Sequence, residues 1–261
     1  MHNSEYSIPN GFAQSTPSLI SIYFKNLVIL GTSLPFLGLV FCTMLSVYSN
    51  FDEVTEAVCG VSNFIPSISA VTGINPQIYL WRHVIGLHSA PRILLAFVYF
   101  NHFSRYLSHI SRPNLLKWLR NFAFVTNLID IASFVGVAFV SNRENFPVHE
   151  SLFIIFLFAS SLYMLTVVAI YRILDNNGYL PKRIQHSYYL KKIFLSIALF
   201  FIAVLIRHIY NHRIECHPNA FSWFCATEYG VAFANLGFHM TAAYDFQDMV
   251  LTLGPQKAHH S

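Results

Sequence analysis

The sequence predicts an all-α, polytopic membrane protein, a bundle of about six transmembrane helices with both termini in the cytosol. Three observations carry that reading. Hydrophobic residues make up 54% of the 261 residues and charged residues only 11%, against roughly 25% charged in a soluble domain. The charges gather in short segments between apolar runs. Six of those runs approach the roughly 20 residues needed to cross a hydrocarbon core. Phe alone occurs 25 times. A soluble domain of this size has too few charges to cover that much apolar surface, whereas lipid solvates it.

The spans follow in order: Leu27–Val47, Trp81–Phe103, Leu119–Val140, Leu152–Ile173, Ile193–Tyr210 and Trp223–Phe246. Residues 1–26 are expected to form a cytosolic N-terminal segment, 27–246 a single six-span membrane domain, and 247–261 a cytosolic tail. The first span is preceded by a polar stretch with Pro9, Asn10, Gly11 and Pro17 and no basic n-region. It therefore reads as a signal anchor that is not cleaved. Orientation follows from the Lys and Arg near the span ends. Lys25, Arg105, Arg112, Lys117, Arg120, Arg172, Lys182, Arg183, Lys191, Lys192 and Lys257 fall on one side, and only Arg143 and Arg213 on the other. The segments Tyr48–Leu80, Ser141–Ser151 and Asn211–Ser222 are thus expected in the lumen or outside the cell. The net charge of +4 is spread over these loops rather than drawn into one stripe, so no nucleic-acid partner is expected.

That topology puts Cys59 and Cys216 on the oxidising side, with Cys225 at the start of span six. A disulfide from Cys59 to Cys216 or to Cys225 fits there, and so do free buried thiols. The stretch Cys59–Ala70 is too apolar for a solvated loop and too short to span. It reads as a re-entrant or interfacial piece, which must be covered by protein or line water.

Charge at the centre of a span costs about 2.5–3.5 kcal/mol on insertion scales, yet several spans carry it. Span two reads Trp81-Arg82-His83-Val84-Ile85-Gly86-Leu87-His88-Ser89-Ala90-Pro91-Arg92. His88 and Arg92 lie one turn apart on one face, and Pro91 is expected to kink the helix near Leu87. Span three carries Asn127 and Asp130, span four opens on His149-Glu150, and span five ends in Arg207-His208. Glu228, Asn235 and His239 share one face of span six, with Asp245 on another.

At about 1.5 Å per residue from the luminal ends, His88 is about 10 Å deep, Arg92 about 16 Å, Asp130 about 10–15 Å, Glu228 about 8 Å and Arg207 about 5 Å. Arg82, His83, His88, Arg92, Asp130, Arg207, His208 and Glu228 are therefore expected to converge in the luminal half. His239, Asn101, His102 and Asp245 are expected nearer the cytosolic face. Arg92–Asp130 and Arg207–Glu228 also fit plain ion pairs that fix helix register, and Arg82 fits a snorkelling residue.

The chemistry that these residue types suit is acyl transfer to a phospholipid-like acceptor. His88 beside Asp130 would be a general base oriented by a carboxylate. Arg82, Arg92 or Arg207 would hold a phosphodiester through forked donors, with His83, Asn127, His208 and Glu228 lining the same site. No HExxH and no CxxC occurs, so no metal site is expected. No His-x4-Asp box is present either.

The blocks Val61–Ala70, which includes Asn63 and Ser67, and Trp81–Arg92 carry a family resemblance. So do Asn101-His102, His149-Glu150, Arg207-His208, Glu228-Tyr229, and Phe238–Ala242 with Asp245-Phe246. In them the chain, from Leu27 to Phe246, resembles the post-GPI-attachment-to-proteins factor 2 family. The resemblance implies a multi-pass Golgi membrane protein, with the endoplasmic reticulum as an alternative. It implies a role in GPI-anchor lipid remodelling, the re-acylation of lyso-GPI with a saturated chain that keeps GPI-anchored proteins at the cell surface. The implied partners are GPI-anchored proteins, membrane lipid and other remodelling enzymes. No cofactor is implied, and an acyl-CoA or a phospholipid would be the acyl donor. Two readings remain: an acyltransferase or its obligatory subunit, and a non-enzymatic lipid-binding scaffold or sorting factor. A transporter with a proton relay is weaker, since no internal repeat is evident.

Overall fold

The structure is a computed structural model and describes residues 20–57, 59–110 and 112–253. Six long helices make the bundle: α1 (Phe24–Val54), α3 (Gln77–Ser104), α4 (Pro113–Phe139), α5 (Phe146–Asn176), α6 (Lys182–Arg213) and α7 (Ala220–Met240). Two short helices, α2 (Ile68–Thr72) and α8 (Ala242–Asp245), and two strands, β1 (Ile20–Tyr23) and β2 (Val250–Leu253), complete the described chain. The starts are written locally. Pro113 and Pro147 occupy first-turn positions of α4 and α5, where a missing N–H costs nothing. Asn145 caps α5 by accepting from the Val148 N–H at 3.2 Å, and Ser67 caps α2 by accepting from the Ala70 N–H at 3.1 Å.

α1, α3, α4, α5 and α6 are long and apolar enough to cross a membrane. α7 is not among them, because Glu228, Asn235 and His239 lower its apolar character. Its 21 residues nevertheless span about 32 Å. The strands decide the count. β1 pairs antiparallel with β2, Ile20 opposite Leu253 and Tyr23 opposite Val250, so both ends of the described chain lie at one end of the bundle. An even number of crossings is required, and α7 is the sixth. The sequence-based spans lie within longer helices, except that the third overruns α4 by Val140 and the sixth stops at Met240 and resumes as α8. Most of the expected 1–26 segment and the tail from residue 254, Lys257 included, lie outside the described residues.

Close helix contacts use small residues, as lipid-embedded bundles do. On α1, a Cβ at Gly31 or Gly38 would come within 3.0 Å of Pro91 or Val84 of α3. On α7, Gly230 and Gly237 receive the rings of Phe201 and Phe194 from α6. In both interfaces the spacing is seven residues, two turns of one face.

The end opposite the strands is cross-linked. Cys59 is disulfide-bonded to Cys216, and Cys42 and Cys225 are free and buried. Arg143 pairs with Glu53 at 2.6 Å, Arg213 with Glu150 at 2.5 Å, and Arg82 with Glu144 at 2.5 Å. The segment after Cys59 packs against this end of the bundle, where the Val71 carbonyl accepts from the Ser46 hydroxyl of α1 at 2.9 Å. α2 sits against α1, α3 and α7. Asn63 accepts from the Ser222 hydroxyl at 2.6 Å and donates to the Thr55 carbonyl at 3.0 Å. Asn63 and Ser67 thus close the cap.

Candidate functional site

The centre of the bundle is organised by Arg92 of α3. Its Nη2 donates to Asp130 Oδ2 of α4 at 2.6 Å and to His239 Nε2 of α7 at 2.6 Å, with Asn127 Oδ1 of α4 at 3.4 Å. The Arg92 and Asp130 side chains are 5% and 0% exposed. Guanidinium only donates, so His239 must present a bare Nε2 and carry its proton on Nδ1. The His239 ring stacks on Tyr163 of α5, with centroids 5.4 Å apart. Four helices therefore meet at one cation. Asp130 Oδ1 has no hydrogen-bond partner among the described residues.

His88 lies one turn above Arg92, buried, its ring edge-on to Phe134. Its Nδ1 is 2.6 Å from the Gly31 carbonyl of α1. A carbonyl only accepts, so the proton sits on Nδ1 and Nε2 holds a lone pair. That Nε2 is buried and without a partner among the described residues. The carbonyl is available because of Pro35. Position 35 is four residues beyond Gly31, and proline has no N–H to close that helical bond. The expected orientation of His88 by Asp130 is thus corrected: the Gly31 carbonyl orients the imidazole, and Arg92 takes the carboxylate.

A small recess of about 10 Å³ lies between α1 and α3 and is lined by Gly31, Thr32, Pro91, Arg92, Leu95 and His239, among others. Its walls are apolar apart from the central cluster, and two of its lining residues, Gly31 and Arg92, contact or neighbour His88.

Other expected site residues lie elsewhere. Arg82 sits at the capped end, bonded to Glu144 and to the Phe139 carbonyl at 2.8 Å. His83 faces outward and bonds the Tyr79 carbonyl of its own helix. The Arg207–Glu228 pair is not made. Arg207 is exposed on α6 and forms no ion pair among the described residues, while Glu228 accepts from the Ile68 N–H of α2 at 2.9 Å. His208 stacks against Trp223, with centroids 6.4 Å apart. His239 is corrected in the other direction, from the cytosolic side to the centre. Residue counts from each helix end share no common zero, because α3 and α7 begin at different heights.

A second buried cluster lies at the strand end. Lys191 Nζ of α6 donates to Asp245 Oδ2 at 2.7 Å, to Thr241 Oγ1 at 2.6 Å and to Ser187 Oγ at 2.7 Å. Tyr99 donates to the same carboxylate at 2.5 Å, and the Tyr171 ring lies 5.0 Å from the ammonium. Sequence reasoning took Lys191 for a loop charge. The signal was present: Ile184, Ser187, Lys191, Leu195 and Ala198 form one buried stripe of α6 at helical spacing.

These features define a class, an α-helical multi-pass membrane protein with a buried ionic centre. Residues 23–249 match the family described as Frag1/DRAM/Sfk1/Cwh43P N-terminal domain, and the chain belongs to that family. It is 40% identical over 238 residues to a Drosophila melanogaster protein named post-GPI attachment to proteins factor 2-like, covering 90% of this chain and 73% of that one. It is 33% identical over 248 residues to the Xenopus tropicalis acyltransferase PGAP2, covering 94% and 96%. With the Caenorhabditis elegans post-GPI attachment to proteins factor 2 it shares 31% identity over 243 residues, 90% of each chain. No solved structure is significantly similar to the chain.

Proposed function

We propose that the protein remodels the lipid of GPI anchors, re-acylating lyso-GPI with a saturated chain in the Golgi membrane, and that it is itself the acyltransferase. The names of its relatives support the GPI anchor as target, and the name of the Xenopus relative supports acyl transfer. The observation that carries the chemistry is His88, a buried imidazole with its proton fixed on Nδ1 by the Gly31 carbonyl and its Nε2 lone pair uncommitted. That is the state required of a general base.

In this mechanism α1 and α3 part at the small recess between them to admit the lyso-lipid. Nε2 of His88 takes the proton of the acceptor hydroxyl as its oxygen attacks the acyl carbonyl of an acyl-CoA or a phospholipid. The donor's thiolate or alkoxide leaves and recovers that proton. Arg92 supplies a charge-assisted donor to the phosphodiester or to the developing oxyanion, held in place by Asp130, Asn127 and His239. The Cys59–Cys216 bridge supports placing its end of the bundle in the lumen, with the strands and both termini cytosolic. GPI-anchored proteins are then the partners on the luminal side.

The test is reconstitution. Purified protein in liposomes with lyso-GPI and a stearoyl donor is expected to yield the acylated anchor, and His88→Ala, folded and expressed, to lose turnover by a factor of about 100 or more. Full activity of that variant removes His88 from the chemistry. Absence of product with every donor offered replaces the enzyme reading with that of a lipid-binding scaffold.

A further inference from the structure

Ser69 and His149 take no part in the mechanism above, yet they pair a hydroxyl with an imidazole at the capped end of the bundle. α4 ends at Phe139, and Val140 after it is extended (φ −106°, ψ 97°), so its carbonyl has no helical partner. The loop to α5 is short and braced: the Glu144 and Asn145 N–H groups donate to the Ser141 carbonyl at 3.2 and 3.1 Å. That turn brings His149, near the start of α5, back onto Val140. Nδ1 of His149 lies 2.7 Å from the Val140 carbonyl. A carbonyl only accepts, so Nδ1 carries the proton and Nε2 holds a lone pair. Nε2 is 2.7 Å from Ser69 Oγ, so the Ser69 hydroxyl donates to it.

The serine is fixed from both sides. The Ile68 N–H before it donates to Glu228 of α7 at 2.9 Å, and the Val71 carbonyl after it accepts from Ser46 of α1 at 2.9 Å. Gly73 lets α2 lie against the α4–α5 loop, since a Cβ there would come within 2.8 Å of Asn142 Oδ1. Ser89, Ser104, Ser133, Ser151 and Ser161 each donate to a carbonyl of their own helix, the common use of a hydroxyl in a span. Ser69 is second in α2 and has no helical carbonyl behind it. Its hydroxyl goes to the imidazole, makes no other hydrogen bond among the described residues, and belongs to a residue that stays partly exposed. The pair also lies at a boundary. Glu150, next to His149, reaches Arg213 at 2.5 Å, and Arg143 reaches Glu53 at 2.6 Å; these partly exposed ions belong in water. Phe64 and Phe146 nearby are 52% and 49% exposed and belong in hydrocarbon. The acyl ester carbonyls of glycerolipids lie in the interfacial layer between the two.

We propose that Ser69 is the nucleophile and His149 the general base of a second catalytic site, one that cleaves the acyl ester of a glycerophospholipid. Ser69 Oγ attacks the ester carbonyl while Nε2 of His149 takes its proton. The bond from the acyl carbon to the glycerol oxygen breaks, that oxygen recovers the proton, and a lyso-phospholipid departs from an acyl group esterified to Ser69. Water attacks this ester as Nε2 takes one of its protons. The fatty acid leaves, and the proton returns to Ser69 Oγ. The Val140 carbonyl does the orienting that a carboxylate does in a Ser–His–Asp triad. The acyl chain stays in the bilayer beside Phe64 and Phe146, so no internal cavity is required. His88 lies about 16 Å along α3 from Gln77 at the capped end. The second site is thus separate from it and independent of whether the protein acylates lyso-GPI.

The full chain in nanodiscs of dialkyl phosphatidylcholine, which has no ester to cleave, tests this with an alkyl fluorophosphonate that bears an alkyne. Phosphonylation is expected at Ser69, located by mass spectrometry, and is expected to vanish in Ser69→Ala. His149→Gln keeps an amide within reach of the hydroxyl but cannot take its proton. It is expected to slow labelling by about 100-fold while the protein still elutes as a folded species with its Cys59–Cys216 bridge intact. Diacyl phosphatidylcholine, phosphatidylethanolamine or phosphatidylinositol doped into the same nanodiscs is expected to release labelled fatty acid, and pretreatment with the probe to stop that release. No label on Ser69 of the folded parent overturns the proposal. So does labelling that is unchanged in folded His149→Gln, which reduces the hydrogen bond to a pin between α2 and α5. Label on Ser69 without fatty acid from any of the three lipids, or release that survives Ser69→Ala, overturns the reaction.

Discussion

Replacing Arg92 by Met keeps a long flexible stem in the bundle and deletes its central cation. Asp130 then remains fully buried, since its side chain is 0% exposed, and its one charged hydrogen-bond donor among the described residues is gone. Breaking a buried pair from one side costs about 3–5 kcal/mol, most of it the uncompensated charge. For a chain of this size about 1 kcal/mol moves the unfolding midpoint by about 2–4 °C. The midpoint in detergent is thus expected to fall by about 6–20 °C. The double variant Arg92→Met/Asp130→Asn removes both charges and leaves an amide that Asn127 and His239 can satisfy. It is expected to recover most of the loss, because a pair removed whole is often nearly neutral. Fluorescence-detected size-exclusion after heating measures all three proteins and gives the coupling between the two sites. A single variant within about 1 °C of the parent, or a double variant no better than the single, refutes the reasoning. The recovered double variant is then expected to be inactive in acyl transfer, which separates the functional use of Arg92 from its structural one.

Three further outcomes follow from particular contacts. Pro35→Ala supplies an N–H that competes with His88 for the Gly31 carbonyl; the midpoint is expected to rise while turnover falls by about 10–100-fold, and unchanged turnover separates the Pro35 device from catalysis. Cys59→Ser/Cys216→Ser is expected to lose about 2–4 kcal/mol, seen as a lower midpoint and as loss of the mobility difference between reduced and oxidised samples on a gel. Glu144, outside the membrane, is held down to about 2 by its hydrogen bond to Arg82 and by Ser141. Its folded pKa is depressed, so its contribution is present above the ordinary value of 4.5 and is lost as pH falls towards 2. The midpoint difference between the parent and Glu144→Gln is therefore expected to stay constant from pH 7 to about 5 and to shrink below that. A difference that shrinks between pH 7 and 5 contradicts the assigned contact.

The order of the long helices and the existence of a polar interior were legible in the sequence, because lipid leaves the backbone only one economical conformation and makes every buried charge conspicuous. Arg92, Asn127 and Asp130 were expected together and are together. His88 was expected among them and lies one turn away, held by a carbonyl instead of a carboxylate. That carbonyl could have been found by asking which group Pro35 leaves without a donor. Lys191 was misplaced because orientation rules count charges near span ends without asking which face they occupy. Arg207 and Glu228 do not meet, because Arg207 is exposed on the outside of α6 while Glu228 is bonded to the Ile68 N–H of α2.

The sequence by itself determined the class of protein and the inventory of costly groups, because each of these depends on composition along a single helix. The tertiary structure alone decided the partners. A hydrogen bond needs its atoms within about 3 Å, and that distance is set by how the helices are rotated, staggered and spaced. In this bundle Gly31 against Pro91 and Gly237 against Phe194 draw α1 to α3 and α7 to α6. The pairing of β1 with β2 fixes both ends of the described chain on one side, and so makes the polar α7, with His239 on it, the sixth crossing.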